Sequence, residues 1–346
     1  MIKLPKVTDW DTPDWGIRVT PRDGRGIDLR DMTAGRAGVI PDDVPVDLGF
    51  APRGAVIDPA NPMFEFSIRR KEVVWAETIA ELVEQANAEG WNATTDVEWA
   101  TLRPLPEAVE RAVCQCCTCL IENATLALYL VSKFLPRIDP RFTEVVLFLT
   151  AQMHDEAREV EVFTKRALAN GGGLQYVSAA TEWSLRVLLS QDDYSEASFM
   201  LHLLGAGTWL DLLRFLEEVA PDPATAHIYR RVRQDEARHV AYGISHFAYH
   251  LQHDATVVPK LVRAAQDRVP FLRQAAGAVP FMQHAMAVLA GGGSAPDQVE
   301  RGLQRVGDLY RQMQTNLLDR LRQAGFDQGS ADYIAGLYQG AVKVLC

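Results

Sequence analysis

The tetrapeptide Asp-Glu-Ala-Arg occurs twice, at 155–158 and at 235–238, an offset of 80 residues. Each copy lies in a long stretch whose apolar residues recur at helical spacing. In the second copy the run continues to His239, so Glu236 and His239 stand three apart and share one helix face. In the first copy Glu159 holds that place. Glu122 lies 34 residues before Glu156, and His202 lies 34 before Glu236. Roughly that length is needed for one helix, a short turn and an antiparallel return to bring two side chains to one level. Metal-competent residues in a matched frame on four helices constrain the chain to an all-α bundle with a polar centre. The candidate metal ligands are Glu122, Glu156, Glu159, His202, Glu236 and His239.

Four long segments carry this frame: Pro106 to Phe134, Arg141 to Asn170, about Leu174 to Val219 with a break near 191–194, and Asp222 to about His250. Gly171–Gly173 ends the second. Asp222 and Pro223 are a cap and a first helical residue for the fourth. Residues 1 to about 62 are rich in Pro, Gly and Asp and keep no period. They predict an irregular arm laid over the body as a lid or dimer contact, with its tryptophans buried. A helix is expected over Ile68 to Ala88. Pro and Gly interrupt the helical pattern after Asp254, and helices are expected near Asp297 to Ala324 and Ser330 to Leu345, packed outside the bundle. The expected organisation is an arm with one helix (1–105), a four-helix bundle (106–254) and a C-terminal helical extension (255–346).

The net charge of −10 argues against a nucleic-acid backbone or an anionic membrane as main partner. No run reads as a membrane span, and the start lacks the order of a signal peptide. Four of five cysteines crowd into Cys114–Cys119, which is no disulfide framework, so a reduced, cytoplasmic compartment is expected. On one helix Cys114, Cys116, Cys117 and Cys119 diverge and cannot close a tetrahedral zinc site. They read as small buried residues, with Cys119, one turn before Glu122, a candidate cavity wall. Tyr129, Tyr229 and Tyr242 read as core residues and His154 as pointing away from the motif face.

Buried carboxylates without counter-charge are expensive or take up protons. Two divalent ions would neutralise the cluster; the competing reading is internal ion pairing of the glutamates with Arg158 and Arg238. Asp155 and Asp235 are candidates to orient a ligand histidine.

In these motifs the chain resembles the ferritin-like dinuclear carboxylate superfamily, which includes the ribonucleotide reductase small subunit, bacterial multicomponent hydroxylases and ligand-binding oxidases. The resemblance covers roughly residues 106–250 and implies a ferritin-like four-helix bundle. It implies two Fe ions, or one Fe and one Mn, with Glu156 and Glu236 bridging. One metal would see Glu122 and Glu159, the other His202 and His239, the oxygen-only half favouring Mn. The family pattern has a histidine where Glu159 stands and a carboxylate where His202 stands. A second alignment puts that carboxylate at Ala206, which would leave the site degenerate. A single metal at His202, His239 and Glu236 is a third arrangement.

The implied activity is an oxidase or monooxygenase that uses O₂ to oxidise a small organic substrate, with secondary metabolism as the expected setting. No flavin or nicotinamide fingerprint is present, so electrons would come from a separate donor or from the substrate. A homodimer is expected by fold analogy alone. The alternative is a non-catalytic or metal-storage ferritin-like protein with a decayed site.

Overall fold

The structure, a computed structural model, describes residues 14–46, 49–57, 64–277 and 281–338. Helices α1 (Ile79–Ala88), α2 (Glu107–Phe134), α3 (Thr143–Ala169) and α4 (Ala179–Leu189) come first. They are followed by α5 (Tyr194–Ser198), a π-helical segment (Phe199–Ala206), α6 (Gly207–Glu218) and α7 (Pro223–His253). The chain continues through α8 (Val258–Gly277), α9 (Phe281–Gly291), α10 (Pro296–Gln323) and α11 (Gln328–Tyr338). Among the described residues there is no strand, only isolated bridges.

The bundle consists of α2, α3, the continuous run from Tyr194 to Glu218, and α7. Helix α2 packs along α3, α6 and the π segment pack along α7, and α3 meets α7 across the middle. Local chemistry explains the ends. Asp222 accepts from the Thr225 amide at 2.8 Å while Pro223 occupies the first position of α7. Asp193 caps α5 through the Glu196 amide at 3.1 Å, so the expected break falls between Leu189 and Tyr194. Gly171 and Gly173 adopt φ of +80° and +74°, which L side chains resist, and end α3.

Two expectations need correction here. The helix expected from Ile68 is α-helical only from Ile79. Ile68 is held extended by Arg137 and Asp139, its amide donating to the Arg137 carbonyl and its carbonyl accepting from the Asp139 amide, both at 2.9 Å. A tertiary bridge overrides local propensity there. Second, α2 with the turn after it (Glu107–Arg137) and the run Tyr194–Glu218 are long and apolar enough to cross a membrane by length and composition. Of their most apolar windows, 61% and 78% are buried inside the protein. Burial against neighbouring helices accounts for that apolarity.

The described part of the arm is clamped by charge to the start of α3 and the turn before it. Arg53 donates to both carboxylate oxygens of buried Glu144, at 2.6 and 2.8 Å, and Arg141 donates to the Gly49 carbonyl at 2.6 Å. Its tryptophan is not buried: Trp15 is 82% exposed, and Trp10 lies outside the described residues. Beyond the bundle, α8 packs on α4, α9 on α2, α10 on α9 and α6, and α11 on α8 and α10.

Candidate metal centre

Helices α3 and α7 meet with their Asp-Glu-Ala-Arg elements facing. Glu156, Glu236 and His239 are buried, and a ligand atom from each lies within 4.8 Å of the other two. His239 Nδ1 is 3.5 Å from both Glu156 Oε1 and Glu236 Oε2. Glu159 lies one turn along α3 and lines the same small cavity as Glu156 and Glu236. Four of the six candidate ligands are therefore brought together.

The aspartates and arginines of the repeat form a separate layer behind the cluster. Arg158 donates to Asp155 and, at 2.8 Å, to Asp235; Arg238 donates to Asp235 and, at 3.1 Å, to Asp155. Trp91, from the loop after α1, adds an indole N–H bond to Asp235 at 2.7 Å, and its ring stacks under the Arg158 guanidinium. Two carboxylates and two guanidiniums, all buried, thus neutralise one another, and Arg238 also donates to Glu89 Oε2 at the edge of the layer, at 3.0 Å. The arginines expected as alternative partners of the glutamates are engaged with aspartates instead. Among the described residues the cluster of Glu156, Glu159 and Glu236 has no arginine partner, and the cation-competent group that faces it is His239.

Titration directions agree. Burial and the neighbouring Glu236 push the Glu156 carboxyl well up. Burial, with Glu156 and Glu236 beside it, does the same to Glu159. Burial works against a charged His239, but Asp155, Glu236 and Glu156 outweigh it and raise the imidazole to about 10. For Asp155 burial acts upward, while His239 and the two arginines hold it down at about 2. His239 Nε2 meets Asp155 Oδ2 at 3.3 Å, which leaves Nδ1 facing the glutamates. That is the orienting role expected of Asp155. Asp235 instead serves the arginine layer.

Glu156 Oε2, Glu159 Oε1, Glu236 Oε2 and His239 Nδ1 are buried without a hydrogen-bond partner. Buried polar atoms are ordinarily paired. These four ligand atoms, three carboxylate oxygens and an imidazole nitrogen, converge with no closer contact than the 3.5 Å between His239 Nδ1 and the glutamates, and fit a metal centre, since both atom types are ligands of Fe and Mn.

Glu122 and His202 stand apart from this group. Glu122 is half-buried on α2; burial and the nearby Glu182 of α4 raise its carboxyl to about 7. The residues of α2 that face the cavity include Leu120, Asn123 and Ala127. His202 is buried with both ring nitrogens engaged, Nε2 to Gln152 Oε1 at 3.0 Å and Nδ1 to the Ser198 hydroxyl at 2.9 Å. The trio His202, His239 and Glu236 does not assemble. Gly205 and Ala206 of the π segment form the cavity wall, so the 206 alignment describes the wall and the 202 alignment does not.

Of the remaining candidates, Cys119 lies outside the cavity lining, its Sγ 3.9 Å from Asn123 Nδ2. Burial pushes the Cys114 and Cys117 thiols up to about 12, so neither is a poised nucleophile. Among the described residues no cysteine joins a metal-competent group. Tyr229 and Tyr242 are core residues, whereas Tyr129 is 60% exposed and is not. His154 is exposed, as expected. Two residues at the site escaped sequence reading: Trp91, and Arg268 of α8, which reaches the cavity wall from the C-terminal extension. Nothing in their spacing links them to the repeat.

No family model and no curated protein matches the sequence. Solved structures do resemble it. An R2-like ligand-binding oxidase variant with aerobically reconstituted Fe/Fe cofactor superposes with a TM-score of 0.53 at 19% identity, covering 72% of this chain and 94% of that one. Another variant, with aerobically reconstituted Mn/Fe cofactor, gives 0.51 at 20% identity and the same coverage. At this identity the likeness concerns the fold: the chain has the helical bundle of the R2-like ligand-binding oxidases, the ferritin-like bundle that its duplicated motif implied.

Proposed function

We propose that this protein is a dinuclear non-haem metal oxidase, with the metal pair held by Glu156, Glu159, Glu236 and His239. The observation that carries the reading is the set of four orphaned, buried donor atoms on α3 and α7. Three carboxylates with a neutral imidazole bring about three negative charges, which two divalent ions and a hydroxide balance. The relatives in fold carry Fe/Fe or Mn/Fe, and the donor set suits either.

Bound there, such a pair would supply O₂ binding and the redox equivalents for oxidising a small organic substrate. The chain's own residues do the rest. Glu156 and Glu236, which face each other across the α3/α7 contact, would both hold the pair. Asp155 fixes the His239 ring so that Nδ1 faces the glutamates. The Asp/Arg layer holds both helices in register without drawing on the glutamates. Leu120, Ala124, Leu201 and Leu213 keep the cavity apolar and exclude bulk water. Electrons would come from a separate donor or from the substrate.

A second reading is favoured by one observation: neither α2 nor the π segment offers an ionisable ligand to the cavity, where Asn123 and Ala206 stand. A centre with four protein ligands could hold one ion, or hold metal without turnover. Metal analysis joined to O₂ uptake, on wild type and Glu236→Ala, separates the readings. Two ions per chain and O₂ consumption support the oxidase. One ion, or two without O₂ consumption, supports the alternative.

A further inference from the structure

Arg268 is an unusual group to find at this cavity. It sits on α8, outside the bundle, yet is only 4% exposed and lines the same cavity as Glu156, Glu159 and Glu236. Among the described residues no carboxylate lies within ion-pair distance of it. Its polar contacts are a long bond from Nη1 to the Met200 carbonyl, at 3.5 Å, and the neighbouring Tyr338 phenol, which burial holds above its usual range although the guanidinium acts the other way. Nε has no partner. A guanidinium carries five N–H donors, cannot shed its charge, and is rarely buried without an anion. The other buried arginines described here show the rule: Arg53, Arg141, Arg158, Arg166, Arg238 and Arg320 each have a carboxylate.

The cavity is also one-sided. Every carboxylate in the lining comes from α3 and α7, while α2 and the π segment present Leu120, Asn123, Ala124, Gly205 and Ala206. The open side of the cluster therefore faces an apolar wall with a single cation. At about 30 Å³ the cavity takes a water or two, so a larger guest has to displace part of its wall.

We propose that Arg268 is the anchor for an anionic ligand, a compact organic carboxylate whose oxygens pair with the guanidinium and whose apolar body lies against the leucines and Trp209. The proposal rests on the oxidase reading for the identity of the site, but not for its test. The anion supplies what Arg268 lacks, and the planar fork matches a carboxylate in two-point contact. Helix α8 then acts as a specificity element contributed by the C-terminal extension.

The test uses the full chain without metal and reads binding by quenching of tryptophan fluorescence and by thermal shift. Probes are benzoate, benzamide, benzylamine and inorganic phosphate, against wild type, Arg268→Gln and Arg268→Lys. Benzoate should bind wild type, with benzamide and benzylamine weaker by about tenfold or more, the worth of a charge-assisted bond. Arg268→Gln should erase the preference for benzoate over benzamide, and Arg268→Lys should restore part of it. Phosphate binding as well as benzoate would replace the organic class with a generic oxyanion site and overturn the proposal. So would equal binding of benzoate to wild type and Arg268→Gln, or no binding of benzoate at all. Metal content is measured on the same samples: normal loading with no carboxylate preference refutes the anchor alone, and absent loading refutes the oxidase reading alone.

Discussion

Replacing Arg158 with Met tests whether the buried aspartates and arginines of the repeat neutralise one another. Arg158 and Arg238 face Asp155 and Asp235, with side-chain exposures of 4%, 2%, 6% and 1%. Removing one guanidinium leaves two buried carboxylates with one arginine and loses the cation–π contact to Trp91. Breaking a buried pair from one side costs about 3–5 kcal/mol, because the surviving charge is stranded. The double variant Arg158→Met/Asp235→Asn removes one charge of each sign and leaves Asp155 on Arg238 and His239. It should be more stable than the additive sum by about 1–3 kcal/mol, the range expected of residues in one network. Urea unfolding at pH 7, followed by tryptophan fluorescence and far-UV circular dichroism, measures both. A loss under about 1 kcal/mol for Arg158→Met, or strict additivity in the double variant, would refute the idea that these four groups neutralise one another.

Other consequences follow from the same geometry. Asp155→Asn should lower metal affinity about 10- to 100-fold by freeing the His239 ring, measurable by chelator competition. His202→Ala should leave metal content unchanged, since both its ring nitrogens are engaged by Gln152 and Ser198; loss of metal in that variant would mean the ring turns inward to bind. Without metal, the melting temperature should fall as pH rises. The folded pKa of His239, about 10, lies above its ordinary 6.5, so its contribution is full below about 6.5 and is lost on the way to 10. Glu156 and Glu159, also raised, lose stability in the same direction above the carboxylate range. Bound metal should abolish the slope by replacing the protons, and a metal-free protein that stabilises with rising pH would contradict this.

The bundle was legible because helical periodicity and a duplicated tetrapeptide reinforce each other over long segments. Glu156, Glu159, Glu236 and His239 were legible for the same reason: each lies inside or next to the repeat, and helix geometry fixes its face. Counting 34 residues across a turn reaches the right level but not the right azimuth, since one residue turns a helix by about 100°. Hence Asn123 faces the cavity where Glu122 was expected. On the third bundle helix the π segment Phe199–Ala206 alters the residue count per turn, so a count made in α-helical steps reached His202, whereas the cavity wall lies at Ala206, the position the second alignment gave. Arg268 and Trp91 meet the site through tertiary packing alone, with no sequence period to announce them. The helix expected from Ile68 failed for a similar reason, because a bridge to the segment around Ile138 decides that stretch.

The central claim is that α3 and α7 together hold a metal pair. Its most direct test is metal quantification by mass spectrometry on protein loaded anaerobically with Fe and Mn and then desalted, for wild type and Glu236→Ala. Wild type should retain two ions per chain, and Glu236→Ala should lose most of them. Retention of about one ion or fewer per chain by folded wild type, with a set of ligands that should bind tightly at neutral pH, would contradict the claim.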